Sequence, residues 1–153
     1  AEAFTEQRGI ALDTFTVASA TRADIGSATW TAFETRLGDA LAGRLDLETR
    51  LAERRRHYAP RQNGTPPPEV RVGPRGVFST SVHVRAADRV GLLHDLASAL
   101  ERAGLDIRRA VITTESGVAR DTFEVTDDEG APPEAEPILR ALGTLLAVPA
   151  TDR

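Results

Sequence analysis

The residues best placed to do chemistry sit together at Asp88-Arg89-Val90-Gly91-Leu92-Leu93. Before them, Phe78, Thr80, Val82, Val84 and Ala86 alternate with more polar neighbours, the period of a strand. After them, Leu92, Leu93, Leu96, Ala97 and Leu100 fall on one face of a helix. The stretch is therefore a strand-to-helix turn, and Gly91 lets the backbone come close to a ligand at a helix N-terminus. The free N–H groups there favour an anion or a ligand carboxylate by about 0.3–1 kcal/mol, more where partly buried.

Other reactive groups make weaker cases. Arg54-Arg55-Arg56 with Arg50 form a basic helix end, and cations in that position complement the helix dipole. Asp13 and Asp121 occupy matched positions, each two residues before a phenylalanine, and each is expected to cap a strand end. There is no GxSxG, no phosphate-cradling glycine loop and no carboxylate pair tied to a nucleotide, so a complete enzyme is not expected.

Downstream elements set the frame. Ala103-Gly104 stops the helix. A strand follows at 106–115, with Ile107, Val111 and Thr113 expected on one face; Ser116-Gly117 turns the chain, and a third strand runs over 118–126 with Phe123 and Val125 on one face. Asp127 to Gly130 closes it, and Ile138, Leu139, Leu142, Leu145 and Leu146 mark a second helix. The order β-α-β-β-α is the ferredoxin-like arrangement short of its last strand, an α+β fold.

That order, with PPEV before the first strand, DRVGLLHDL at the turn, AGLDIRRAVITT in the second strand and ARDTFEVTD in the third, resembles the ACT domain, a small ligand-sensing module. The set is most similar to the C-terminal tandem ACT region of the uridylyltransferases that modify PII nitrogen-signalling proteins. Val90 stands where that family usually has proline. The resemblance implies an amino-acid pocket, glutamine by the parent's role, between two ACT sheets. The turn Asp88–Leu93 would hold the carboxylate, and Asp106 and Ile107 of a neighbouring module would meet the ammonium. It also implies a homodimer, contact with the catalytic domains of a parent enzyme and through them with PII. No cofactor is expected in this chain; Mg2+ is expected only for the catalytic domain. His94-Asp95 spells the dipeptide of metal-dependent HD phosphohydrolases, but with no second histidine cluster nearby a solvated helix residue is the expectation, and no metal.

Composition is compatible with this reading. The 153 residues contain 41% hydrophobic and 27% charged residues, enough for an ordinary core. A formal charge of −4 argues against nucleic acid as the partner of the whole fold, and no apolar run is long enough to span a membrane. With no cysteine, a reducing cytoplasm is the simple expectation.

An internal repeat organises the N-terminal third. At an offset of 108, Thr5, Gly9, Ala11, Asp13-Thr14-Phe15 and Val17 meet Thr113, Gly117, Ala119, Asp121-Thr122-Phe123 and Val125; at 105, Leu37-Gly38 and Leu41 meet Leu142-Gly143 and Leu146. Residues 1–57 are thus expected to be the second half of a first ACT domain, a hairpin across Arg8-Gly9 and a helix, plus an extra helix. The first helix would be capped by Ser27 and carry Trp30, Phe33, Leu37 and Leu41; the second would be capped by Asp46. Residues 58–68 read as a proline-rich linker, 69–148 as a complete ACT domain and 149–153 as a tail. Glu69–Val72 is a candidate extra strand completing the sheet. The half-module and the absence of methionine lead us to expect a piece of a longer polypeptide. Its apolar surface is expected to pack on the complete module or on a second chain. Three classes of function stay open: an amino-acid sensor cut from a nucleotidyltransferase, a free-standing tandem ACT regulator acting through protein contacts, and a dimerisation piece with no ligand.

Overall fold

The computed structural model describes residues 2–5, 11–14, 24–57 and 67–146. In chain order these form β1 (Glu2–Thr5), β2 (Ala11–Thr14), α1 (Ser27–Leu41), α2 (Leu47–His57), β3 (Glu69–Arg75), β4 (Thr80–Ala87), α3 (Leu92–Arg102), β5 (Leu105–Glu115), β6 (Val118–Asp127) and α4 (Ala135–Leu146). The chain divides into two units, one of Ala1–Phe15 with Pro60–Arg153, the other of Thr16–Ala59.

The first unit is built on an antiparallel sheet in the order β2-β1-β5-β6-β4-β3. Alternation decides which side is core. Thr80, Val82, Val84 and Ala86 on β4 are buried, and they lie opposite Val125, Phe123, Asp121 and Ala119 on β6, also buried. Leu92, Leu96, Ala99 and Leu100 of α3 and Ile138 and Leu142 of α4 close over that face. Val82, Leu96, Leu100, Phe123, Val125, Ile138 and Leu142 are fully enclosed. Each side chain of this size contributes about 1.5–3 kcal/mol on burial.

Two junctions hold the layers in register. Thr80 Oγ1 donates to the Pro133 carbonyl at 2.8 Å, and Arg75 Nε donates to that of Pro132 at 2.7 Å, fixing the approach to α4. After β6, Asp127 accepts the amides of Glu129 and Ala131 at 3.1 and 2.7 Å and so closes the strand.

The segment before β4 does complete the sheet. β3 pairs with β4 from Glu69 opposite Arg85 to Arg75 opposite Thr80, with an irregularity between Val72 and Arg75. Pro74 falls in that irregularity on an edge strand, where its missing N–H breaks no ladder bond. At the other edge, β1 docks on β5, with Glu2, Ala3 and Phe4 opposite Val111, Ala110 and Arg109. The hairpin partner of β1 is β2, as expected; the turn across Arg8-Gly9 lies outside the described residues.

Four expectations are corrected. Phe78 is not in the strand or the core: it is 84% exposed, because Gly76 N–H bonds Ser79 C=O at 3.0 Å and leaves Val77-Phe78 as the tip of the β3–β4 hairpin. Ile107 does not share a face with Val111 and Thr113. A bulge at Arg108 shifts the register between Ile107 and Arg109, so Ile107, Ala110 and Ile112 share the core side. Asp121 does not cap a strand end but lies inside β6 and is buried. Ser27 does not cap α1; the extended Gly26 does, and its carbonyl receives the amides of Thr29 and Trp30 at 3.0 and 3.3 Å.

In the second unit, α1 carries Trp30 and Phe33 edge to face, with ring centroids 6.0 Å apart and planes at 87°. Gly43, at φ 67°, follows its end. Asp46 caps α2 as the sequence predicts: Thr49 N–H and Oγ1 donate to its carboxylate at 3.0 and 2.7 Å. These bonds, backbone first, hold Asp46 below the ordinary carboxylate range.

Candidate functional site

The turn between β4 and α3 is fixed from both sides. Gly91 is the N-cap of α3 at φ 78°, ψ 10°, a left-handed conformation that a side-chain-bearing residue adopts only with strain. Leu92 N–H reaches back to the Arg89 carbonyl at 3.1 Å, and Asp95 N–H takes the Gly91 carbonyl at 2.9 Å, starting the helical ladder. No side chain caps this helix start. Arg89 Nη1 instead pairs with Asp95 Oδ2 at 2.5 Å, tying the turn to the first helical turn in a half-shielded position.

The preceding residue anchors the turn to the sheet. Asp88 N–H donates to the Gly117 carbonyl at 2.9 Å. Gly117 belongs to the two-residue turn between β5 and β6, where Ser116 and Gly117 both have positive φ (52° and 78°), as a type I′ hairpin requires. The Asp88 side chain is left exposed, Arg89, Val90, Gly91 and Leu93 are half-buried, and Leu92 is buried in the core. The arrangement offers an uncapped helix end, positive by its dipole, on a backbone that cannot easily shift.

Asp106 and Ile107 are elsewhere. They open β5, opposite Thr126 and Val125, whereas the Asp88 turn adjoins the far end of β5 beyond Glu115. At about 3.3 Å per residue the separation is roughly 25–30 Å. Asp106 is exposed and Ile107 packs against the core. Within one chain the two halves of the expected site do not meet. His94 and Asp95 lie on α3, and the Asp95 carboxylate is engaged by Arg89. Among the described residues no three His, Cys, Asp or Glu side chains converge to hold a metal ion, and no helix is long and apolar enough to cross a membrane.

One charged residue near the turn was not expected in the core. Asp121 is 2% exposed, faces the helices between Val84 and Ile112, and its Oδ1 has no hydrogen-bond partner. Burial pushes its carboxyl up to about 6; a backbone hydrogen bond from Thr113 opposes this and the neighbouring Asp88 carboxylate adds to it. Its place two residues before Phe123, on the buried parity of β6, was the available signal.

Residues 80–144 match the ACT domain family. Over 109 residues the chain is 44% identical to the bifunctional uridylyltransferase/uridylyl-removing enzyme of Streptomyces coelicolor, a match covering 67% of this chain and 13% of that enzyme. It is 31% identical over 136 residues to the enzyme of the same description from a Bradyrhizobium strain (ORS 278), covering 86% of this chain and 14% of the relative. It is also 40% identical over 68 residues to the ACT domain-containing protein ACR6 of Arabidopsis thaliana, 44% of this chain and 16% of that protein. The chain thus spans only a small part of the curated relatives it matches. No solved structure matches it significantly.

Sheet order, helix placement, glycine turn and family match agree: residues 80–144, from β4 into α4, are an ACT domain, with β3 paired along its edge. The chain that carries it is homologous to a short segment of the bifunctional uridylyltransferase/uridylyl-removing enzymes.

Proposed function

We propose that this chain is the amino-acid-sensing region of a cytoplasmic PII uridylyltransferase and that its ligand is glutamine. The observation that supports this most is the left-handed Gly91 at the uncapped start of α3, inside a segment matched by the ACT family. In this reading the first-turn amides and backbone of Asp88–Leu93 hold the ligand carboxylate. The ammonium is met by Asp106 and Ile107 of another ACT module, since those of the same module are too far away. A second chain, in a homodimer, or the first ACT domain of the parent supplies that module. The binding step needs no cofactor in this chain; Mg2+ belongs to the catalytic domain of the parent.

A sensor acts through differential affinity: glutamine must favour one arrangement of modules over another. The favoured arrangement slows uridylyl transfer to PII and promotes its removal. Affinity on the order of 0.1–1 mM, roughly −5.5 to −4 kcal/mol, suits an abundant metabolite. The test is a glutamine titration followed by amide resonances, with Gly91→Val as the blocking variant. Shifts centred on Gly91 that vanish in the variant are expected; no shift at millimolar glutamine removes the reading. In the full-length parent, loss of glutamine control after deleting the region matching 77–148 is expected, and unchanged control refutes the regulatory role.

A further inference from the structure

Helices α3 and α4 cover one face of the sheet; the opposite face bears a cluster of cations that the turn does not use. On one rung Glu69, Arg85, Arg120 and Thr113 stand side by side across β3, β4, β6 and β5, and on the next stand Arg71, His83, Thr122 and Val111. Arg85 and Arg120 are direct cross-strand neighbours, so two guanidinium groups start from Cα atoms about 5 Å apart. Like charges directly opposite one another are unfavourable in a sheet. Glu69, the cross-strand neighbour of Arg85, pairs with Arg71 at 2.6 Å, and among the described residues neither Arg85 nor Arg120 is found in an ion pair. Arg85 Nε is shielded from water and has no acceptor. His83 Nδ1 lies 3.1 Å from Thr122 Oγ1, which fixes the imidazole beside the pair. These residues, Glu69, Arg71, His83, Arg85, Arg120 and Thr122, together with Val84 and Asp121, whose side chains are buried toward the helices, line a shallow hollow of about 380 Å³.

We propose that this hollow is a second ligand site, separate from the glycine turn, for a phosphate group, free or borne by a small metabolite. Two guanidinium forks without an ion pair among the described residues match the several acceptor oxygens and the near-double charge of a phosphate monoester, whereas a carboxylate would offset only one of them. A small turn of the Arg85 side chain toward the anion gives its shielded Nε the acceptor it lacks. The volume falls at the small end of ligand sites. No Phe, Tyr or Trp lines the hollow, and the one imidazole there, His83, is held by Thr122, so it lacks the row of stacking platforms that nucleic-acid bases use. The feature is local, since the whole chain is acidic at −4.

The experiment uses the 153-residue chain, titrated with inorganic phosphate and separately with a nucleoside 5′-monophosphate, each against sodium chloride at matched ionic strength. Saturable shifts of the Arg85, Arg120 and Thr122 amides are expected with the Gly91 amide unmoved. Arg85→Gln and Arg120→Gln should each raise Kd at least tenfold while keeping the wild-type melting temperature. Tighter binding of the monophosphate assigns the site to a phosphorylated metabolite; equal binding assigns it to the free anion. Equal shifts with chloride, or wild-type affinity in both glutamine variants, overturn the proposal. Because the readout is on the sheet face away from α3 and α4, either result is independent of whether glutamine binds at Gly91.

Discussion

Raising the pH from 4 to 7 should destabilise the ACT module, and Asp121 is the reason. Its carboxyl ionises near 3.8 in the unfolded chain and at about 6 in the folded one, where burial disfavours the charge. Between those values the folded state holds a proton that the unfolded state has lost. Stability therefore falls as pH rises from about 4 to about 6, and this contribution is level above that. The full change is about 3 kcal/mol, at 1.36 kcal/mol per tenfold change in acidity constant. Urea unfolding should be followed through methyl resonances of Val82 and Leu142, which lie in this core, whereas the tryptophan, Trp30, belongs to the other unit. Subtracting the profile of Asp121→Asn removes the contributions of all other acids. Asp88→Asn should move the Asp121 transition to lower pH and shrink the slope, since the Asp88 charge helps raise it. Parallel wild-type and Asp121→Asn profiles from pH 4 to 7 would refute the reasoning.

Further tests address other parts of the fold. Gly91→Ala should cost about 1–2 kcal/mol in denaturant, because a β-carbon is placed in a left-handed backbone. Thr80→Val should cost about 1–2 kcal/mol by leaving the Pro133 carbonyl without its buried donor, read as a lower urea midpoint at unchanged slope. Asp46→Ala should lower the helical circular dichroism of the second unit. In the wild type that contribution is present above the ordinary carboxylate range and is lost as pH falls through the depressed value, the opposite sign to Asp121.

What could be read directly from the residues was whatever local chemistry dictates. The β4–α3 turn, the stop at Gly104, the Ser116-Gly117 reversal and the two helical stripes each depend on a glycine or a period contained within a few positions. The departures come from tertiary pairing. The bulge at Arg108 leaves Ile107, a strand-former on the expected alternation, on the other face, and only the register with β6 places it. Phe78 continues the alternation of β4, yet the two-residue tip of the β3–β4 hairpin takes it out of the sheet. Burial of Asp121 was implicit in its parity with Phe123, but an aspartate at a core position runs against composition-based expectation. The Arg85–Arg120 pairing needs the β4–β6 register, which no local signal sets. For the site itself, Asp88–Leu93 was legible as a turn, whereas the place of Asp106 at the opposite end of the sheet follows from topology.

The docking of β1 on β5 has a consequence for how copies of this chain associate. The hairpin and β3 are joined by residues 15–68, so the β5 edge is occupied by a guest tethered to its own host. Tethering replaces a bimolecular affinity by an effective concentration, typically millimolar or below for a tether of suitable reach. A second copy offers the same strand to the same three positions opposite Val111, Ala110 and Arg109. In dilute solution the tethered hairpin wins that competition. As local protein concentration approaches the effective concentration of the tether, exchange between copies becomes equally favourable, and the same strand pairs then join two chains.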